Sequence, residues 1–414
     1  MRLVIILSGF LPAFASELDK ADTAWILVSN ALVTLMVIPG LALFYAGLSR
    51  SKSAVNTLSM SIVGFAIASV AWLILGHSLA FGKDFLGFVG GLDKALLSSV
   101  SINSLQGTIP EYLFVSFQAA FAGVSLALIS GALIERLKFS AWLVFSLLWV
   151  LLVYAPIAHW VWGGGFLAKD GALDFAGGAV VHLNAGVSAL VGALILGARK
   201  ESSILPHSLP LTAVGTGLLW VGWFGFNAGS ALSSGAIASI ALLNTNLGAS
   251  AGLLGWMLPE WVIRKKPTLL GMMSGAVAGL VGITPAAGFV MPADAIIIGF
   301  ISSAISFFFV TYLKHRLYVD DALDVFGIHG ISGLIGAILT GIFATKSVND
   351  SINVLPNQLF IQIKSCIAVA IYSAIMSALI FLLIKAIFGL RSKEEQALDI
   401  SLHGESAYNI GGKT

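Results

Sequence analysis

The chain has 414 residues, of which 58% are hydrophobic and only 10% charged, with a net charge of +2. A soluble surface carries a charged fraction of roughly a quarter or more, so a set of water-soluble domains is excluded, and the near-neutral balance excludes a nucleic-acid partner. The 45 glycines suit closely packed membrane helices, and Cys366, the single cysteine, excludes an intrachain disulfide and a thiolate metal site.

The N-terminus has the layout of a signal peptide: Arg2, an apolar run from Leu3 to Leu11, and the small-x-small site Ala13-Phe14-Ala15. Residues 1–15 are expected to be removed, with cleavage near Ser16. Apolar stretches then predict spans at 22–48, 54–82, 111–134, 140–162, 178–198, 208–231, 237–262, 268–289, 294–313, 327–345 and 357–388. Each is near or above the ~20 residues that cross a bilayer. The expected fold is an all-α membrane protein of eleven transmembrane helices over residues 16–388, with a tail at 389–414.

Basic residues orient these spans. One set of loops carries Arg50 and Lys52, Arg136 and Lys138, Arg199 and Lys200, Arg264 to Lys266, Lys314 and Arg316, and Arg391 and Lys393. The alternate loops carry single lysines: Lys83, Lys94, Lys169 and Lys346. The basic set is cytoplasmic by this rule, the N-terminus outside and the C-terminus inside. A signal peptide demands the same. An odd count fits five plus five helices in inverted orientation plus one extra.

His182 opens the fifth span and His329 the tenth, equivalent positions in such a repeat. Each follows an Asp, a Phe and a Gly: Asp174-Phe175-Ala176-Gly177-Gly178 before the first, Asp324-Val325-Phe326-Gly327 before the second. Each is followed by a Gly at i+4, Gly186 and Gly333. Ionisable groups in lipid-spanning segments are expensive and mark functional pathways by default. The plain alternative is a pair of polar residues gluing helices; the matched contexts favour function. Asp174 reads as an N-cap that fixes the His182 helix.

Aromatic segments form a second constellation. Phe117 and Phe121 are i,i+4 neighbours within span three, as are Phe226 and Ser230 at the end of span six, and Trp162 closes span four. Aromatic faces attract a cation by roughly 0.5–2 kcal/mol each. A hydroxyl accepts a hydrogen bond only from a cation that carries protons. Trp162, Phe121, Phe226 and Ser230 therefore predict an outer vestibule for a small N–H-bearing cation, with a phenylalanine constriction beyond it. Two facing imidazoles would then handle the proton in an apolar lumen. Trp160, Trp220, Trp256 and Trp261 read as packing or interfacial residues, His77 and His159 as interfacial or hydrogen-bonded structural groups, and His207, His315 and His403 as solvated.

At these residues the sequence resembles the ammonium transporter family, the Amt/Mep/Rh superfamily on its bacterial Amt side. The resemblance covers nearly the whole chain: Asp22, Pro39 to Leu48, Gly131 to Arg136, Asp174 to His182, Gly222 to Ser230, and Asp320-Asp321 through Gly330. It implies a homotrimer of eleven-helix protomers in the inner (cell) membrane, each with its own pore and no cofactor or metal. Phe121, Trp162, Phe226 and Ser230 would be the external ammonium site. Phe121 and Phe226 would also form the gate, beside Trp223. His182 and His329 would line the pore, and Asp174 would be the supporting acid. The species conducted is ammonia with a separately relayed proton, or the intact ion.

The tail matches from Gly389-Leu390-Arg391 to His403 and Tyr408, with Ala397 where the family usually has Gly. In relatives it packs on the neighbouring protomer, and a PII-type nitrogen regulatory protein docks at the cytoplasmic mouth. Read from its own charges it is a solvated, disordered segment. Competing readings are a sensor signalling through a bound partner and an intramembrane metalloenzyme using His182, His329 and Asp174. No segment resembles a carbonyl filter for potassium.

Overall fold

The computed structural model describes residues 17–201 and 205–408. The expected signal peptide, its cleavage site and residues 409–414 lie outside the described residues. The chain forms α1 (Lys20–Leu48), α2 (Ser51–Phe81), α3 (Glu111–Leu133), α4 (Phe139–Asp170, broken by a turn at 162–165), α5 (Gly178–Leu196), α6 (Leu209–Gly229), α7 (Ala236–Arg264), α8 (Leu269–Ile283), α9 (Pro292–Leu313), α10 (Phe326–Phe343) and α11 (Gln358–Ile387). All but α8, ten helices among the described residues, are long and apolar enough to cross a membrane.

The expected eighth span, 268–289, is corrected by α8. Its helix ends at Ile283, and Thr284 to Val290 run in buried turns. Pro285 explains the stop: it lacks an N–H and disfavours helix in the residue before it. Irregular backbone survives at membrane depth only where protein supplies its hydrogen bonds. Here Phe175 N–H donates to Pro285 O at 3.1 Å, Asn244 Nδ2 to both Ala287 O and Val290 O at 2.9 Å, and Thr345 N–H to Phe289 O at 2.9 Å.

Among the described residues the chain is all-helical apart from one connection. Between α2 and α3 lie two antiparallel hairpins, β1 (Asp84–Phe85) with β2 (Val89–Gly90), and β3 (Leu105–Gln106) with β4 (Ile109–Pro110).

α5 and α10 cross at the glycines that follow the histidines. A Cβ on Gly186 would stand 2.5 Å from Gly330 Cα, and one on Gly333 would stand 2.7 Å from Gly178 O. Each helix thus crosses where the other lacks a side chain. α11 is strapped to α5 by Ser373 Oγ donating to Asn184 Oδ1 at 2.8 Å and by the Ser377 and Ser188 hydroxyls at 2.9 Å.

The described part of the tail, 389–408, packs on the helices, against the reading from its charges. Leu398, Glu395 and Asp399 are buried. Asp399 accepts from the N–H groups of Val55 and Asn56 near the start of α2, at 3.1 and 2.9 Å. Arg391 pairs with Glu395, and Arg50 donates to Glu395 O. Two histidines expected to be solvated hold it: His403 Nε2 lies 3.0 Å from Asn56 Oδ1, and His207 Nε2 lies 2.8 Å from the Tyr408 hydroxyl.

Candidate functional site

α5 and α10 each open in a π-helical turn, Gly178–Leu183 and Phe326–Ile331, and each turn carries its histidine. Such turns displace side chains from the regular helix and are frequent at functional sites. The Nδ1 atoms of His182 and His329 lie 3.3 Å apart, with ring centroids 5.3 Å apart and planes 19° from parallel. At that separation one ring donates its N–H and the other accepts, so the neutral pair holds opposite tautomers. His182 is fully buried, and its Nε2 has no partner among the described residues.

Asp174 acts as an extended cap. Its carboxylate accepts four backbone N–H bonds: Oδ1 from Gly177 and Gly178 at 2.9 and 2.6 Å, Oδ2 from Ala179 and Val180 at 2.9 and 3.1 Å. A helix start leaves its first N–H groups orphaned, and one side chain satisfies the whole turn leading to His182. Its carbonyl oxygen accepts from Trp162 Nε1 at 2.8 Å. One residue thereby fixes both the Trp162 indole and the His182 backbone.

An aromatic column leads to the imidazoles. Phe121 packs edge-on to Trp162 at 6.0 Å and stacks on Phe226 at 4.1 Å, with planes 10° apart. Phe226 lies 5.7 Å from Trp223, and Trp223 stacks on His182 at 5.3 Å and 18°. The Ser230 hydroxyl donates to Phe226 O at 2.8 Å. Its proton is therefore used, and its oxygen is left to accept.

Three spaces lie along this line. Phe121, Trp162 and Ser230 border a cavity of about 330 Å³ at the end opposite the basic loops. Trp223 and His329 border an enclosed one of about 10 Å³, otherwise lined by apolar groups such as Leu128 and Val277. That volume admits about one water-sized molecule. At the basic end a third, of about 330 Å³, is bordered by Ile328, Lys314 and Asp324. Of the two stacked phenylalanines, Phe121 borders the first of these spaces.

Two acids lie at the basic end, just before α10. Burial pushes the Asp320 carboxyl up, but Arg199, bonded to it through backbone and guanidinium, outweighs this and holds it below its usual range. Burial pushes Asp321 up to about 6. Asp321 still accepts from the N–H groups of Val325 and Phe326 at 3.0 and 2.8 Å. It does for His329 a smaller version of what Asp174 does for His182.

Asp174, Trp162, Phe121, Phe226, Ser230, Trp223, His182 and His329 thus form one line of contacts. Two that matter were missed. Gln118, quoted only as part of its segment, borders the outer cavity with a buried Oε1 that has no partner among the described residues. Thr284 accepts from Trp223 Nε1 at 2.9 Å, and nothing in the spacing relates the two. His159 is the hydrogen-bonded structural group expected, held by Ala80 O and Asp84 at 2.9 Å each. His77 is not: it is fully buried among Trp72, Phe81 and Phe114, and neither ring nitrogen has a partner among the described residues. Among the described residues no three His, Cys, Asp or Glu side chains are grouped to hold a metal.

The sequence profile of the Ammonium Transporter Family matches residues 24–408. An ammonium transporter of Aquifex aeolicus is 52% identical over 415 residues, spanning 99% of this chain and 98% of its own. One from Bacillus subtilis is 46% identical over 402 residues, spanning 94% and 99%. Among solved structures, Candida albicans Mep2 superposes with a TM-score of 0.85 at 37% identity, covering 94% of this chain and 91% of that one. A sensor Amt protein superposes with a TM-score of 0.86 at 29% identity, covering 92% and 98%. With its ten membrane-length helices and a profile match over nearly its full length, the chain belongs to the ammonium transporter family.

Proposed function

We propose that this ammonium transporter takes NH4+ from the outside at Phe121, Trp162, Phe226 and Ser230, gives its proton to the accepting Nε2 of the His182–His329 pair beyond the phenylalanine gate, and passes ammonia and proton separately along the two imidazoles. The observation that carries this reading is the direct Nδ1 contact of two buried imidazoles, one of which, His329, borders a small, largely apolar cavity. An intact ion in so narrow a space would lose its hydration with no carboxylate to replace it. Ammonia keeps a hydrogen-bonding partner at each ring.

The relay follows from the tautomers. One Nε2 of the pair accepts and the other donates. A proton taken by the accepting Nε2 drives the shared Nδ1 proton onto the neighbouring ring, whose Nε2 proton then leaves. One proton has crossed, and both tautomers are inverted. Trp223, stacked on His182, holds the first ring in register. Asp174 is the supporting acid: it bonds backbone and never touches the substrate.

The eleven-span reading takes α8 as a crossing completed by its buried turns. The basic loops then face the cytoplasm, with the N-terminus outside and the tail inside the inner membrane. The reciprocal crossing at Gly186 and Gly333, and the paired caps Asp174 and Asp321, support a five-plus-five inverted repeat with α11 as the extra helix. We take the protein to be a homotrimer, with a PII-type protein as partner at the cytoplasmic mouth. A sensing role is the second reading, favoured by the likeness to a sensor Amt protein.

Proteoliposomes test the proposal. A saturable current with ammonium and none with potassium is expected. A potassium current of similar size would overturn it, and ammonium binding without any flux would favour the sensor.

A further inference from the structure

We propose that the hairpin of β1 and β2 is a lipid anchor, its tip residues Phe85, Leu86 and Phe88 lying among the acyl chains of the outer leaflet. Leu86 is 86% exposed, Phe85 62% and Phe88 47%. Apolar area left in water costs roughly 25 cal/mol per Å², and a contiguous exposed apolar patch marks a membrane or a partner.

Placement selects the membrane. The Phe88 ring lies 5.1 Å from Trp160 and 5.9 Å from Tyr372. Tyr372 belongs to α11, whose exposed face repeats every fourth residue as Ile363, Ile367, Ile371, Ile375 and Leu379. That face is wholly aliphatic, as a lipid-facing surface is. Lys364, paired with Asp170, marks the charged level near the outer end of α11. Tyr372 is two turns further along, about 12 Å toward the cytoplasmic side. The Phe88 ring therefore packs below the charged level and continues the lipid-facing surface. Tryptophan and tyrosine at this height are the usual interfacial residues.

The backbone on either side of Leu86 suits an environment without water. Lipid offers no hydrogen bonds, so polar groups must be satisfied within the protein. Gly87 N–H donates to Asp84 Oδ1 at 2.8 Å, and Gly87 O accepts from Phe166 N–H at 2.9 Å. Phe88 N–H donates to Phe85 O at 3.1 Å, and Phe88 O accepts from Trp160 Nε1 at 2.7 Å. The one ionisable residue of the hairpin, Asp84, turns back to His159 and Lys169. Gly87 and Asp84 thus tie the anchor to the end of α4 that carries Trp162.

The leaflet named follows from the orientation proposed above; the contact with lipid does not. The test uses Leu86→Cys in a Cys366→Ser background, labelled with an environment-sensitive fluorophore and reconstituted in phosphatidylcholine vesicles. Asn103→Cys, on an exposed part of the same connection, is the aqueous control. Retained ammonium current shows that the labelled protein is folded. At position 86 we expect blue-shifted emission, quenching by nitroxide-bearing phospholipid, and protection from iodide present on both sides of the membrane. The control should show the reverse. Iodide quenching at 86 equal to that at 103 would overturn the proposal. So would protection from both quenchers, which would mean that a second copy covers the tip.

Discussion

The indole N–H of Trp223 donates to the hydroxyl of Thr284 at 2.9 Å, and the same hydroxyl donates to Leu280 O at 2.7 Å. This relay of bonds fixes the plane in which Trp223 stacks on His182. Thr284 is the first residue past the end of α8, so the early stop of that helix serves the site. Thr284→Val keeps the shape and leaves a buried N–H without a partner, which costs about 1–3 kcal/mol. The maximal rate of ammonium transport should fall about tenfold with little change in apparent affinity, and Thr284→Ser should restore it. An unchanged maximal rate in Thr284→Val would remove this role.

Asp174→Ala should abolish transport. It frees four buried N–H groups at once, each with a penalty of about 1–3 kcal/mol, and loosens the turn that carries His182. Asp174→Asn keeps one accepting oxygen and should retain part of the activity. Initial ammonium currents per unit of reconstituted protein decide this; full activity in the alanine variant would contradict the supporting role.

Ser230→Ala should raise the half-saturating ammonium concentration about tenfold, the worth of one hydrogen bond to a charged group. The maximal rate should change little, because the contact is made on recruitment and not at the imidazoles. An unchanged half-saturation value would remove Ser230 from the site.

Much of this was legible in the sequence, for physical reasons. Two histidines in apolar runs are too expensive to be casual, and their matched surroundings announced a pair. The i,i+4 spacing of Phe117 and Phe121, and of Phe226 and Ser230, placed each pair on one face. What was hidden depended on contacts between distant segments. Thr284 and Trp223 share no spacing. Residues 284–290 are apolar because they are buried, so they read as more helix, and Pro285 was the only local sign of the break. Glu395 and Asp399 read as solvated charges because distant segments cover them: Lys200 N–H donates to the Glu395 carboxylate, and the N–H groups of Val55 and Asn56, near the other end of the chain, to Asp399.

Stability should carry a pH signature from Asp321. Its carboxyl is raised from 3.8 to about 6 by burial, so between those values the folded state holds a proton that the unfolded state has lost. Stability must then fall as pH rises through this window and level off above it. Thermal unfolding in detergent between pH 4 and pH 8, compared with Asp321→Asn, isolates the effect. The native protein should lose ground to the variant as pH rises from about 4 to about 6. A constant difference between them would contradict it.

The most direct measurement is the ammonium-evoked current in proteoliposomes of the native protein and of a double variant with His182→Ala and His329→Ala. A relay through the paired imidazoles predicts a current in the native protein that excludes potassium, and loss of that current or of that exclusion in the variant. A native protein that equilibrates ammonia without carrying charge, or a double variant with unaltered selective current, would contradict it.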